Sequence, residues 1–165
     1  MHHVTRMLET NSYVRCLLID FSKAFDIVDH VTLLEKLHKL HLPKYCFNWL
    51  ISFFTGRSHT TKNKHCESSP LSINRSIIQG SGVGPTFYII LESDLKSSSQ
   101  FNIIFKYADD TNLLVPQHTD INMKEEFEAI QLWAFNNKMT INIAKTKEIV
   151  FRRPNPRSNI DDIIP

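Results

Sequence analysis

Nowhere does this 165-residue chain approach the roughly 18 consecutive apolar residues that a membrane span needs, so no span is predicted. The start, Met1-His2-His3-Val4-Thr5-Arg6, has no signal-peptide anatomy. An intracellular location is therefore expected, with nucleus or cytoplasm left open because Arg152-Arg153 is too short for an import signal. Cysteine is sparse: Cys16, Cys46 and Cys66 are odd in number and widely spaced. Without a Cys-x-x-Cys pair, His59, His65 and Cys66 do not make a zinc signature. Charge of one sign is lacking too, since a net +2 is compatible with a nucleic-acid partner but does not argue for one. There is no Walker-A lysine, no G-x-G-x-x-G spacing and no internal repeat.

What remains is ordinary globular composition, 42% hydrophobic and 22% charged, in a chain long enough for one domain with a core. Val14 to Ile19 reads as a buried strand ending at Asp20. Asp29 can cap a helix carrying Leu33, Leu34, Leu37 and Leu40, and a second helix presents Phe47, Leu50, Ile51 and Phe54 before Gly56. Residues 57 to 72 read as a loop or exposed hairpin. Ile73 to Ile78 reads as a strand, followed by an apolar helix through Phe87, Ile90, Leu91 and Leu95. Two short strands flank Asp109-Asp110. Asn122 and Glu125 form a capping box for the next helix, and Thr140 to Ile143 and Glu148 to Phe151 read as final strands. Strands and helices mix without strict alternation. The expected class is α+β: an antiparallel sheet with helices packed on one face around a split-βαβ core, and an extended or disordered Pro-rich tail over 152–165.

The chemistry concentrates in acids and glycines. Asp109 and Asp110 fall at a turn between apolar runs, where two adjacent carboxylates repel each other and call for a cation. If the first strand lies beside that hairpin, Asp20 joins them, and such a cluster would take Mg²⁺ through oxygen ligands. Asp20 and Asp26 read equally well as turn or helix-capping acids. Gly80-Ser81-Gly82-Val83-Gly84-Pro85 before a helix suits close approach to an anionic ligand, though taken singly such a stretch is more often a turn than a site.

Four ordered segments, LIDFSKAFD from Leu18, QGSGVGP from Gln79, FKYADDTNLL from Phe105 and NKMTINIAKTKEIVF from Asn137, resemble motifs A to D of the reverse transcriptases of non-LTR (LINE-type) retrotransposons. The resemblance runs from about Thr5 through Phe151. It implies a polymerase palm over 1–151 that copies an RNA template from a DNA primer with deoxynucleoside triphosphates. Asp20 and Asp109 would share two Mg²⁺ ions, with Mn²⁺ a possible substitute, Asp110 as third carboxylate and the Phe21 carbonyl completing the shell. Phe25 would pack under the incoming sugar and disfavour a 2′-hydroxyl, or serve as a core aromatic, or both. Gln79, Gly80 and Ser81 would support the nascent base pair, and Tyr107 would lie near the primer terminus. Lys145 or Lys147 would protonate the leaving pyrophosphate.

The same resemblance exposes departures. Only nineteen residues precede Asp20, where the family has its fingers, and the chain stops soon after motif D, where a thumb would follow. The expectation is a palm fragment with an intact metal site and little polymerase activity alone. A catalytically silent remnant that binds nucleic acid or protein is the alternative. A nucleotidyl cyclase is a third, disfavoured by Gln79-Gly80-Ser81 and Lys145-Thr146-Lys147.

Overall fold

The computed structural model describes residues 2–78 and 80–153; Gln79 and residues 154–165, most of the expected tail, lie outside the described residues. The chain divides into two compact units. Unit 1 comprises Met1–Ser22, Leu95–Asn136 and Thr140–Pro165, and unit 2 comprises Lys23–Asp94 and Asn137–Met139.

Unit 1 is built on a four-stranded antiparallel sheet of β1 (Tyr13–Ile19), β6 (Ile103–Tyr107), β7 (Asp110–Pro116) and β8 (Lys147–Arg152), in the order β6-β7-β1-β8. β1 pairs with β7 from Val14 opposite Pro116 to Ile19 opposite Thr111, and with β8 from Tyr13 opposite Arg152 to Leu18 opposite Lys147. Alternation sends Val14 and Cys16 to one face. There they pack with Leu114 against Val4, Met7 and Leu8 of helix α1 (His2–Leu8). The residues that alternate with them, Ile19, Leu113 and Val115, are buried as well, so both faces of the sheet's centre are covered.

Helix α5 (Met123–Asn136) begins with the predicted capping box. Asn122 Oδ1 accepts from the Lys124 and Glu125 amides, and Glu125 returns a bond to the Asn122 amide. From its first turn the fully buried Glu126 accepts hydrogen bonds from the Ser97 hydroxyl, the Ser98 and Ser99 amides and the Asn102 side-chain amide. One carboxylate thus satisfies the backbone of the loop that delivers the chain into β6.

In unit 2, helix α2 (His30–His38) is capped as expected, with Asp29 Oδ1 accepting from the Thr32 amide. Leu40 falls beyond its end and is exposed. Helix α3 (Lys44–Phe54) buries Leu50 and Phe54, leaves Ile51 partly exposed, and is followed by Gly56 at positive φ. The predicted exposed hairpin is a nested ribbon, β2 (Ser58–His59) pairing with β5 (Leu71–Ser72) and β3 (Lys62–Asn63) with β4 (Cys66–Glu67).

Three expectations need correction. Ile73–Ile78 is not a strand, because its partner is the irregular segment after Phe25. Ser76 donates to Val28 and Ile77 to Phe25, and a lone bridge joins Arg75 to Asp29. Helix α4 (Gly84–Leu91) stops before Leu95, where the buried Lys36 amine takes the Leu91 carbonyl and pairs with Asp94. Thr140–Ile143 forms a single bridge, Phe21 with Ile141, rather than a strand.

Candidate active site

The hairpin of Tyr107 and Asp110 closes on two residues, Ala108 and Asp109. Ala108 has φ +52° and Asp109 is not in the positive-φ region, the sign pattern of a type II′ turn. Glycine is the usual residue at that first position, so alanine there holds the tip under local strain. Asp109 sits on the turn and is exposed, whereas Asp110 opens β7.

Register then decides what Asp110 meets. Ile19 is opposite Thr111, and one further step beyond β1 brings Asp20 across from Asp110. Directly opposed residues share a face, so Tyr107, Asp110 and Asp20 stand on one side of the sheet. Val14 and Cys16 lie on that same face at the other end of β1, under α1.

The segment after α5 fixes the far wall. Asn142 donates its amide to the Asp20 carbonyl at 2.7 Å, and Ser22 donates to the Thr140 carbonyl at 2.8 Å. These bonds flank the bridge between Phe21 and Ile141, so the peptide groups of Phe21 itself point away from that segment. The Phe21 ring is buried, edge-on to Trp133. The Asn142 carbonyl accepts from the Lys145 and Thr146 amides, a turn that sets Lys145 beside Asp20. Thr146 also receives the Asp20 amide on its hydroxyl, at 3.5 Å.

The result is a cleft of about 290 Å³ lined by Leu18, Ile19, Asp20, Asp110, Thr111, Asn112 and Lys145. Asp109 and Lys147 are not among its lining residues. Among the described residues no side chain donates a hydrogen bond to Asp20, Asp109 or Asp110, and no ion pair joins Lys145 to them. Other acids in the chain are satisfied: Asp29 by Thr32 and Lys138, Asp94 by Lys36, Asp120 by Ser99. Neither cleft carboxylate has such a partner among the described residues, and two anions on adjacent strands suit a hard cation that prefers oxygen ligands. The donor chemistry fits a divalent metal. The geometry supplies two of the three expected carboxylates, and among the described residues no three His, Cys, Asp or Glu side chains converge as a metal-binding group.

The predicted nucleotide-binding residues Phe25, Gln79, Gly80 and Ser81 belong to unit 2, and Tyr107 to unit 1. Phe25 is half-buried with its ring stacked on Tyr88, 4.7 Å between centroids and 25° apart. Gly80 is exposed with φ +80°, a conformation glycine adopts without strain. Ser81 accepts the Gly84 amide on its carbonyl, while its buried hydroxyl has no partner among the described residues. A β-carbon on Gly84 would come within 3.1 Å of that hydroxyl and 3.2 Å of Ile77, so the glycine permits the tight approach of α4. Gln79 lies outside the described residues. Tyr107 is 82% exposed. Sequence reasoning missed Asn142 and Thr146, although Asn-x-x-Lys-Thr is a readable turn signal.

A family profile described as reverse transcriptase (RNA-dependent DNA polymerase) matches residues 1–158. The chain is 31% identical over 156 residues to the RNA-directed DNA polymerase from mobile element jockey of Drosophila funebris, covering 87% of this chain and 17% of that protein. The jockey polymerase of Drosophila melanogaster is 29% identical, with the same coverage. The probable polymerase from transposon BS of that species is 28% identical over 68% of the chain. The chain spans about 17% of the length of the jockey relatives. Among solved structures, telomerase from Candida tropicalis in complex with a fragment of telomeric RNA matches with TM-score 0.67 and 14% identity, over 90% of this chain and 28% of that one. The apo enzyme truncated from its C-terminal domain matches with TM-score 0.69 over 93% of this chain and 34% of that one. These two likenesses carry the fold. Among the described residues no helix is long and apolar enough to cross a membrane.

Proposed function

Since this chain belongs to the reverse transcriptase family, we propose that it carries the nucleotidyl-transfer centre of an RNA-directed DNA polymerase from a non-LTR retrotransposon. Its partners would be an RNA template, a DNA primer and deoxynucleoside triphosphates. The observation that carries the reading is the cleft in which Asp20 and Asp110 stand in register with no side-chain donor to either carboxylate among the described residues, and with Lys145 on its wall.

Asp20 and Asp110, joined by Asp109 and the Phe21 carbonyl, would hold two Mg²⁺ ions, with Mn²⁺ as substitute. When bound, such ions lower the pKa of a primer 3′-hydroxyl and neutralise the triphosphate. The transfer forms a bond from O3′ to the α-phosphorus and breaks the bond to the leaving pyrophosphate. Lys145 Nζ, an ammonium on the cleft wall, can give a proton to the leaving oxygen. Tyr107, exposed on the same face as Asp110, would meet the primer end. Phe25, oriented by Tyr88, would abut the sugar and exclude a 2′-hydroxyl, and Gln79, Gly80 and Ser81 would support the new base pair.

Primer extension on an RNA template with Mg²⁺ or Mn²⁺ tests this. Incorporation is expected to be weak in the isolated chain and to vanish in Asp110→Ala. If the wild type incorporates nothing at high protein concentration, the chain is a silent remnant in this form.

A further inference from the structure

We propose that the outward side of α3 is a stacking platform for single-stranded nucleic acid. The inference begins with charge. Between Glu35 and Glu67 the chain contains no acid and six lysines or arginines, against an excess of only two over the whole sequence. Lys36 is committed to Asp94, and Lys62 lies 3.7 Å from Glu67. Lys39, Lys44, Arg57 and Lys64 complete the set, so six of the nineteen lysines and arginines fall in an acid-free segment that contains α3.

The second observation is aromatic. Tyr45, Trp49 and Phe53 recur every fourth residue of α3 and share one face. Helices ordinarily turn such side chains inward, yet Tyr45 is 76% and Trp49 54% exposed. Trp49 stacks on Phe53, 5.3 Å between centroids and 27° apart, and the Arg57 guanidinium lies 5.1 Å from the Phe53 ring centroid. The Trp49–Phe53 stack therefore ends on a cation, with the exposed Tyr45 ring one turn before it. Alongside, Asn48, Ile51, Ser52 and Thr55 line a shallow groove of about 420 Å³, three of the four being polar.

Flat faces for bases, a guanidinium for phosphate and an absence of repelling carboxylates are the parts of a sequence-tolerant single-strand site. A duplex would present stacked, paired bases that the rings cannot enter. The charge pattern decides against a protein helix as the occupant: residues 36–66 carry six cations and no acid, which suits a polyanion. The biological partner rests on the polymerase reading, but the binding chemistry uses only unit 2 and needs no metal.

The test is binding of a fluorescein-labelled 20-nucleotide single-stranded RNA, and of a blunt RNA duplex of equal length, to the full chain in EDTA. The single strand is expected to bind more tightly. Tyr45→Ala and Trp49→Ala should each weaken it about tenfold or more, in line with what base–aromatic stacking contributes. Trp49→Phe should retain most of the affinity and guards against a folding defect, and Arg57→Gln should reduce the salt slope by about 0.7. Equal binding of strand and duplex, wild-type affinity in both alanine variants, or no binding at all would overturn the proposal. So would self-association that Trp49→Ala abolishes while RNA binding persists, which would mark a protein occupant. Failure here with divalent-ion binding intact at Asp20 and Asp110 would leave the cleft reading standing, and the converse result would remove the cleft and keep the platform.

Discussion

The two ends of β1 lie on one face of one sheet and are governed by one register, yet they do opposite things. At the Val14 end, each inward position is apolar and α1 closes over Cys16 and Leu114. At the Ile19 end the same alternation brings up Asp20 opposite Asp110, with no side chain among the described residues donating to either carboxylate. A sheet builds a core or a site with the same geometry; the side chains at successive alternate positions decide which. The first end contributes stability through buried area, whereas the second holds like charges close together, an arrangement that costs free energy until a cation joins it.

The largest effect is expected at the dry end. Leu114→Ala removes a buried side chain from the α1 cluster and should lower the stability measured by urea unfolding by about 2–5 kcal/mol. It should leave divalent-ion binding at the other end intact, and a loss of binding at unchanged fold would break the separation drawn here.

Next comes the loop that delivers β6. Glu126→Gln turns an amide donor towards a cradle of donors and should cost about 1–3 kcal/mol in the same measurement. A neutral result would mean that the cradle rearranges.

Asp29 sharpens the contrast, because it is an aspartate with its partners in place. Burial pushes its carboxyl up, but the bonds from Lys138 and from the Thr32 amide and hydroxyl outweigh this and hold it below the usual carboxylate range. Its folded pKa therefore lies below its unfolded one, so its contribution to stability is complete above the ordinary carboxylate pKa. That contribution is lost as pH falls through the lower folded value. Asp29→Asn, which retains helix-capping ability, should flatten the acid limb of stability below the ordinary carboxylate pKa. An unchanged limb would contradict the assignment.

The smallest change is expected at the cleft itself. Asp20→Asn and Asp110→Asn relieve repulsion and break no hydrogen bond, so stability without metal should stay within about 0.5 kcal/mol of wild type or rise slightly. A clear loss would mean that these acids are structural.

Much of this was legible in advance, and the misses share a cause. Strand β1 with its terminal Asp20, the Asp29 cap, the Asn122–Glu125 box and the hairpin at Asp109 are written in local patterns. Ile73–Ile78 and Thr140–Ile143 have the pattern of strands without being strands, because alternation describes a residue's surroundings and not its partner. Each makes a single bridge because what lies opposite is irregular. The same limit left Lys145 and Lys147 undecided. Lys145 lines the cleft only through the Asn142 turn and the pairing of β1 with β8, both non-local facts. Adjacent Asp109 and Asp110 looked equivalent, and the two-residue turn separates them.

The most direct measurement is calorimetric titration of the full chain with Mg²⁺ and with Mn²⁺, in the wild type, Asp20→Asn and Asp110→Asn. Saturable binding is predicted in the wild type. In each variant it should weaken by at least the about 10–100-fold that loss of even an outer-shell partner costs a metal site. Binding of equal strength in all three proteins would contradict the claim that the polar end of β1 is a cation site.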